Sequence, residues 1–238
     1  MSVDQALLES VEESKTAVLR IYRWAPATLS LGYFQTYEDR MGHLESSHCD
    51  LVRRASGGGA IIHDQEITYS LTVPSTNRWA ARNTEIYRLV HDSITEVLKD
   101  FNVAAYTYDH KQHPPAEKPN SFLCFQRRYD GDLICDGYKV VGSAQRRNKQ
   151  AVLQHGSILL GTSDFAPQLP GINELAKVDF DYHQFSDRLV ERICHNLSLN
   201  LVECKLYDSE RKIAESYSSR RFNNDDWNIR RKKNELSN

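Results

Sequence analysis

No Cys-x-x-Cys pair occurs in this 238-residue chain, and its five cysteines stand far apart at Cys49, Cys124, Cys135, Cys194 and Cys204. An odd count without paired spacing excludes a disulfide framework and the usual zinc clusters. Scattered thiols suit a reducing compartment, so a cytoplasmic location is expected. Long apolar runs are missing as well. None approaches the roughly 18 residues that a membrane helix needs, so no membrane partner is expected. The opening "MSVDQALLESVEES" has an early acid, Asp4, and no continuous apolar stretch, so it does not read as a secretory signal. Charge of one sign is not in surplus either. Thirty basic against 32 acidic residues leave a net charge of −2, which gives no reason to expect a nucleic-acid partner.

What is present suffices for a folded core, since 40% of residues are hydrophobic. The length suits one large domain or two small ones. No internal repeat or linker is visible. Ala6, Leu7 and Val11 fall on one side of a helix in "DQALLESVEE". "AVLRIYRW" and "TLSLGYF" alternate as strands about Pro26, "TYEDRMGHLESS" reads as a short helix, and "DLVRRA", "AIIH" and "TYSLTV" read as strands. Asn83–Asp100 is an amphipathic helix with Ile86, Leu89, Val90, Ile94, Val97 and Leu98 on its apolar face. "YDHKQHPPAEKPNS" is a polar, proline-rich loop. "GDLICDGYKVVGSAQRR" has the form of a hairpin turning at Asp136-Gly137. "AVLQHGSILLG" is a further strand, and Tyr182–Leu199 a second long helix. The order predicts an α+β fold, a central mixed or antiparallel sheet with flanking helices. Residues 1–222 are expected to form the domain, and 223–238 a charged tail without a pattern that would order it.

Three segments carry candidate chemistry. In "RRASGGGAIIHDQEITYS" a strand-like run breaks at Gly57, Gly58 and Gly59 and resumes at once. Glycines there either make a flexible turn or let a ligand lie against bare backbone, with N–H groups offered to its oxygens. Arg53 and Arg54 precede them on opposite faces of the strand. In "DGYKVVGSAQRR", Lys139 sits among valines, with Gly142 and Ser143 just beyond. It is either an edge-strand lysine that discourages aggregation or a single positive charge in a cleft, able to hold a carbonyl oxygen. The following Arg146, Arg147 and Lys149 make a solvated face or a dock for an acidic carrier. In "NSFLCFQRRYDGD", Cys124 is either a buried thiol or a nucleophile activated by a nearby cation. Cys135 competes for that role, although its strand position suits structure. His63 and His155, the latter beside Gly156 in "LQHGS", are each a base or a core histidine.

Together "YRWAPATLSLGYFQ", "RRASGGGAIIHDQEITYS" and "DGYKVVGSAQRRNKQAVLQHGSILL" resemble the lipoate–protein ligase, octanoyltransferase and biotin ligase superfamily, from about Asp4 to about Gly161. Within it the closest resemblance is to cysteine-dependent octanoyltransferases of lipoate assembly, because Cys124 lies fifteen residues before Lys139, where these enzymes carry their nucleophile. One departure is the triple glycine, where many such transferases have Gly-Gly-Arg; it is nearer the ligase pattern.

The resemblance implies a biotin/lipoate ligase-like core and octanoyl transfer from acyl carrier protein, through acyl-Cys124, to a lysine of a lipoyl-type domain such as the glycine cleavage H protein. Lys139 would steady the carbonyl. Arg53, Arg54, Gly57, Gly58, Gly59, His63, Gly142, Ser143, His155 and Gly156 would surround the substrate, with Ile61, Leu71 and Val73 as apolar wall. No cofactor or metal is expected. ATP and magnesium enter only in the alternative, an ATP-dependent lipoate–protein ligase. A further alternative moves acyl groups between lipoyl domains through the same cysteine.

Overall fold

The computed structural model describes residues 1–115, 120–179 and 181–232. Helix α1 (Ser2–Ser14) is followed by strands β1 (Val18–Tyr22), β2 (Thr28–Leu31), β3 (Asp50–Arg53), β4 (Ile61–His63) and β5 (Glu66–Pro74). Helix α2 (Asn83–Asp100) leads to β6 (Ala105–Thr107), β7 (Leu133–Cys135), β8 (Tyr138–Arg147) and β9 (Ala151–Leu159). Helices α3 (Ile172–Ala176), α4 (Tyr182–Asn196), α5 (Asp208–Tyr217) and α6 (Asp225–Asn228) close the described chain. Six strands form an antiparallel sheet in the order β1-β5-β9-β8-β7-β6. The other three form a separate small sheet, β3-β2-β4, in which β2 and β3 run parallel. The glycines lie between β3 and β4, so the break in the strand pattern is the crossing from one edge of the small sheet to the other.

Strand β5 shows how the sequence builds two faces. Ile67, Tyr69, Leu71 and Val73 point into the main core, where α2 contributes Ile86, Val90, Ile94 and Val97 and α4 contributes Phe185, Leu189 and Ile193. Period 2 on the strand meets a 3.6-residue period on each helix. The alternate residues Glu66, Thr68, Ser70 and Thr72 are equally buried, on the face that meets α1 and β4. The Thr68 hydroxyl and the Glu66 carboxylate bond each other there and the Ser70 hydroxyl bonds Asp4 of α1, which offsets their burial, whereas the Thr72 hydroxyl finds no partner among the described residues. Leu71 and Val73, expected as apolar wall of a site, therefore belong to the helix-side core.

Three expectations change. "TYEDRMGHLESS" forms two 3-10 turns, Glu38–Gly42 and Leu44–His48, rather than one helix. The second long helix stops at Asn196, because Ser198 turns left-handed and the Leu199 N–H returns to the Cys194 carbonyl at 2.8 Å. The region expected as a charged tail is ordered as far as residue 232, and 233–238 lie outside the described residues. The cause is Arg53. Its Nε donates to the Trp227 and Asn228 carbonyls at 3.2 and 3.0 Å, its Nη1 to those of Gly32 and Gln35, and Trp227 Nε1 donates back to the Arg53 carbonyl at 2.8 Å. Trp227 packs with Val52, Tyr217 and Phe222. Among the described residues no helix is long and apolar enough to cross a membrane.

Trp227→Ala removes both the indole and its bond to β3. It is expected to lower unfolding stability by about 3–5 kcal/mol in urea titration, the cost of deleting a large buried aromatic.

Candidate active site

The glycine turn is built around Arg54. This side chain is fully buried, and its donors are spent on backbone carbonyls: Nη1 on Ser30 at 2.9 Å, Nη2 on Gly57 and Gly59 at 2.8 and 2.6 Å, and Nε on Gly57 at 3.2 Å. Burial pulls its pKa down to about 10, against a raising influence from Cys124, so the guanidinium stays charged near neutrality. Gly58 sits at φ +97°, a left-handed conformation that a β-carbon disfavours. Gly59 is required for another reason. A β-carbon there would lie 2.9 Å from the backbone nitrogen of Cys124 and 3.0 Å from its Cα. The segment carrying Cys124 is docked against the next residue by two bonds, Ala60 N–H to the Phe122 carbonyl at 2.9 Å and Cys124 N–H to the Ala60 carbonyl at 2.7 Å.

Cys124 opens a short 3-10 turn, Cys124–Gln126, and its Sγ lies 3.9 Å from Lys139 Nζ. The lysine reaches it through a β-bulge. Leu133 pairs with Val141 while Ile134 pairs with Lys139, so Val140 is the extra residue. Val140 and Val141 both enter the main core, which turns Lys139 and Gly142 to the other face. Gly142 leaves room for the lysine, since a β-carbon there would meet Lys139 Cε at 2.5 Å. Beyond it Lys139 Nζ forms a fully buried ion pair with Asp132 Oδ2 at 2.7 Å. Burial weighs against the ammonium, but Cys124 and then Asp132 overcome it and raise the lysine's pKa above its ordinary value.

These groups line one cavity of about 320 Å³, together with Ile61, Phe125, Ala144 and Gly156. That volume is at the lower end of the roughly 300–1,000 Å³ usual for small-ligand sites. Arg54, Gly57, Gly58, His63, Ser143 and His155 also reach it. Arg53 does not; it points the other way, into the clamp with Trp227 and Asn228. Gly59 acts behind the wall, in the docking of the cysteine segment. His155 Nε2 is 2.6 Å from Ser56 Oγ, and burial pushes its pKa down to about 4. Cys135 lies in the core strand β7, away from the cavity, and burial raises its thiol pKa.

Residues 1–177 match the lipoyl protein ligase A/B catalytic domain. The chain belongs to that family. Octanoyltransferase LipM of Brevibacillus brevis is 31% identical over 97% of this chain and 94% of its own length, and that of Bacillus subtilis is 31% identical over 97% and 93%. In fold, a lipoate protein ligase of T. acidophilum with bound lipoic acid superposes with a TM-score of 0.78 at 20% identity, covering 96% of this chain and 91% of its own. A lipoate-protein ligase A bound with ATP gives 0.75 at 20% identity, over 96% and 92%. The α+β architecture is that of the lipoyl protein ligase A/B family, and the chain is an enzyme of the acyltransferase class.

Several groups of this lipoyl protein ligase A/B site are not evident from sequence patterns. Asp132 is the buried partner of Lys139. The hairpin could have revealed it, because Leu133 opposite Val141 sets Asp132 near Gly142. His91 bonds Gly131 O through Nδ1 at 2.6 Å and Ser143 Oγ through Nε2 at 2.7 Å. The carbonyl only accepts, so Nδ1 carries the proton and Ser143 donates to Nε2. Tyr69 Oη then donates to Ser143 at 2.5 Å, and Gln154 Nε2 donates to Tyr69 at 2.9 Å. Nothing in the helical pattern of α2 distinguishes His91 from a surface residue, since its partners come from distant strands.

Two outcomes follow from this geometry. Gly59→Ala is expected to displace the Cys124 segment and slow acyl transfer by about 10²-fold, the scale of an ångström-sized misplacement, with the far-ultraviolet circular dichroism unchanged. The second concerns acid stability. Burial holds His91 and His155 at about 4, below the ordinary 6.5, so the unfolded chain takes up their protons first. Their stabilising contribution is complete above pH 6.5 and is lost as the pH falls toward 4. It amounts to about 3 kcal/mol per histidine, and the urea midpoint should fall steeply across that window. His91→Gln should flatten the fall by about half.

Proposed function

We propose that the protein transfers octanoyl from acyl carrier protein to a lysine of a lipoyl-type domain, such as the glycine cleavage H protein, through an acyl-Cys124 intermediate in lipoate biosynthesis. The observation that carries this reading is the thiol of Cys124 beside the Lys139 ammonium in the wall of one cavity. Curated relatives named octanoyltransferase, matching nearly the whole chain, support the octanoyl group.

Sulfur attacks as thiolate, and a neighbouring cation lowers the cost of that charge. The Cys124 sulfur adds to the carbonyl carbon of the donor thioester. A C–S bond forms, the donor C–S bond breaks, and the carrier thiol leaves with the proton that Cys124 gave up. One ammonium proton of Lys139 is committed to Asp132, and the others face the sulfur and the oxyanion that develops beside it. The acceptor amine then attacks acyl-Cys124. Exchange of one thioester for another is nearly isoenergetic, and formation of an amide runs downhill, so no nucleotide is required. The cavity wall supplies affinity for the alkyl chain. At ~0.8 kcal/mol per buried CH₂, an eight-carbon chain contributes roughly 5 kcal/mol.

Intact-mass measurement after mixing with octanoyl carrier protein, without ATP, is expected to show one hydroxylamine-sensitive octanoyl adduct. Cys124→Ser should abolish it; an adduct on Cys135, or one that needs ATP and free octanoate, would remove the reading. Lys139→Ala should slow transfer by about 10²–10³-fold, the usual cost of one lost oxyanion donor.

A further inference from the structure

We propose that the stacked rings of His63 and Trp24 form the end wall of the acyl cavity and hold the accepted chain to the length of octanoyl. The inference rests on the acyl-Cys124 reading and names the residues that give it its chain-length selectivity.

The cavity has a direction. Tyr129 and Asp130, both exposed, line its outer end. The reacting groups come next. Lys139 Nζ lies 5.8 Å from the centre of the Tyr129 ring and 3.9 Å from the Cys124 sulfur. It stands over Gly142, where a β-carbon would meet it at 2.8 Å. From Gly142 the floor runs inward across the main sheet. Gly142 pairs with Ser157 of β9, Ser157 pairs with Thr68 of β5, and all three line the cavity. Beyond Thr68 lies β1, which contributes no lining residue among the described residues. The floor therefore ends at β5.

Its length is fixed by the sheet. Neighbouring strands lie about 4.8 Å apart, which puts Thr68 about 10 Å from Gly142. The seven C–C bonds of an extended octanoyl chain advance about 9 Å, and the fifteen of hexadecanoyl about 19 Å. The floor suits a medium chain and is far too short for a long one.

What stands over Thr68 is aromatic and tightly held. His63 Nδ1 lies 3.4 Å from Thr68 Oγ1 and 3.1 Å from Glu66 Oε1, and Trp24 Nε1 donates to the same threonine hydroxyl at 2.9 Å. The two rings stack at 4.3 Å between centroids, with 17° between their planes. His63 lines the cavity and Trp24 does not, so the imidazole is the surface that a chain meets and the indole is its backing. A side chain fixed by a stacked ring on one side and a carboxylate at Nδ1 yields little, and an unyielding wall is what rejects an extra methylene. The side walls Ile61 and Ala144 touch short and long chains alike, so they add affinity without selecting length. A second corner of the cavity, at Met1 and His155, lies over the adjoining row of the sheet, where His155 pairs with Ala144.

The test is a competition in one tube, which cancels any difference in folded fraction. Carrier protein loaded with octanoyl and carrier protein loaded with decanoyl are mixed in equal amounts with the enzyme, and the two adducts on Cys124 are compared by intact mass early in the reaction. The wild type is expected to favour octanoyl by about 10-fold or more, the scale at which a closed pocket discriminates methylenes. His63→Ala opens a layer of the 4.3 Å stack, against the about 2.5 Å that two methylenes add. It should shift the ratio toward decanoyl by about 10-fold. Trp24→Ala, which leaves the imidazole without its backing, should shift it the same way. An unchanged ratio in both variants overturns the end wall and leaves acyl-Cys124 intact. So does a shift produced by His155→Ala alone, which would turn the chain toward Met1. A wild-type enzyme that carries neither acyl group on Cys124 fails at the earlier reading, and this inference falls with it.

Discussion

A guanidinium with no carboxylate partner among the described residues holds this site together. Arg54 is buried with a full charge, and a buried charge normally demands an opposite one. Here the compensation is dipolar: carbonyls from β2 and from the glycine turn converge on it. Three carbonyls can face one cation only if the chain bends sharply enough, which is what the glycines allow. The same bend presents Ala60 to the segment 122–124, and that docking sets Cys124 at the cavity. One electrostatic requirement thus shapes the turn, the turn seats the cysteine loop, and the loop delivers the thiol.

The lysine arrives from the opposite direction, on a strand of the main sheet. Regular alternation would have sent either Val140 or Val141 toward the cavity. The bulge lets both valines stay in the core and frees the neighbouring positions for Lys139 and Gly142. Asp132 then anchors the ammonium from the preceding turn. Cys124 and Lys139 are held by different scaffolds, the first on a segment docked against Ala60 beside the small three-stranded sheet, the second on a strand of the six-stranded one. Packing of the two scaffolds sets Lys139 Nζ 3.9 Å from Cys124 Sγ.

Much of this was legible in the sequence. The strands other than β6, with α1 and α2, followed from local patterns, and Cys124, Lys139, Gly57, Gly58, Gly142, Ser143, His63, His155 and Gly156 all reach one cavity. What escaped has identifiable causes. Arg53 and Arg54 look equivalent in a string, and only the second sheet shows that one serves the turn and the other the C-terminal clamp. Helix α5 hides because its buried stripe is narrow, with Ala214 and Tyr217 as its buried hydrophobic residues. Trp227 lies among charges, and its burial depends on a groove formed by residues far away in sequence. His91 makes its decisive contacts with Gly131 and Ser143, far away in sequence, where local pattern carries no information.

The clamp on Arg53 has a consequence for the order in which the molecule matures. Arg54, which orders the glycine turn, directly follows strand β3, and its neighbour Arg53, the last residue of β3, is pinned by carbonyls of residues 227 and 228. A nascent polypeptide can assemble both sheets while still tethered to the ribosome. The clamp on β3 closes only after residues 227 and 228 have emerged, later than every described strand of the two sheets.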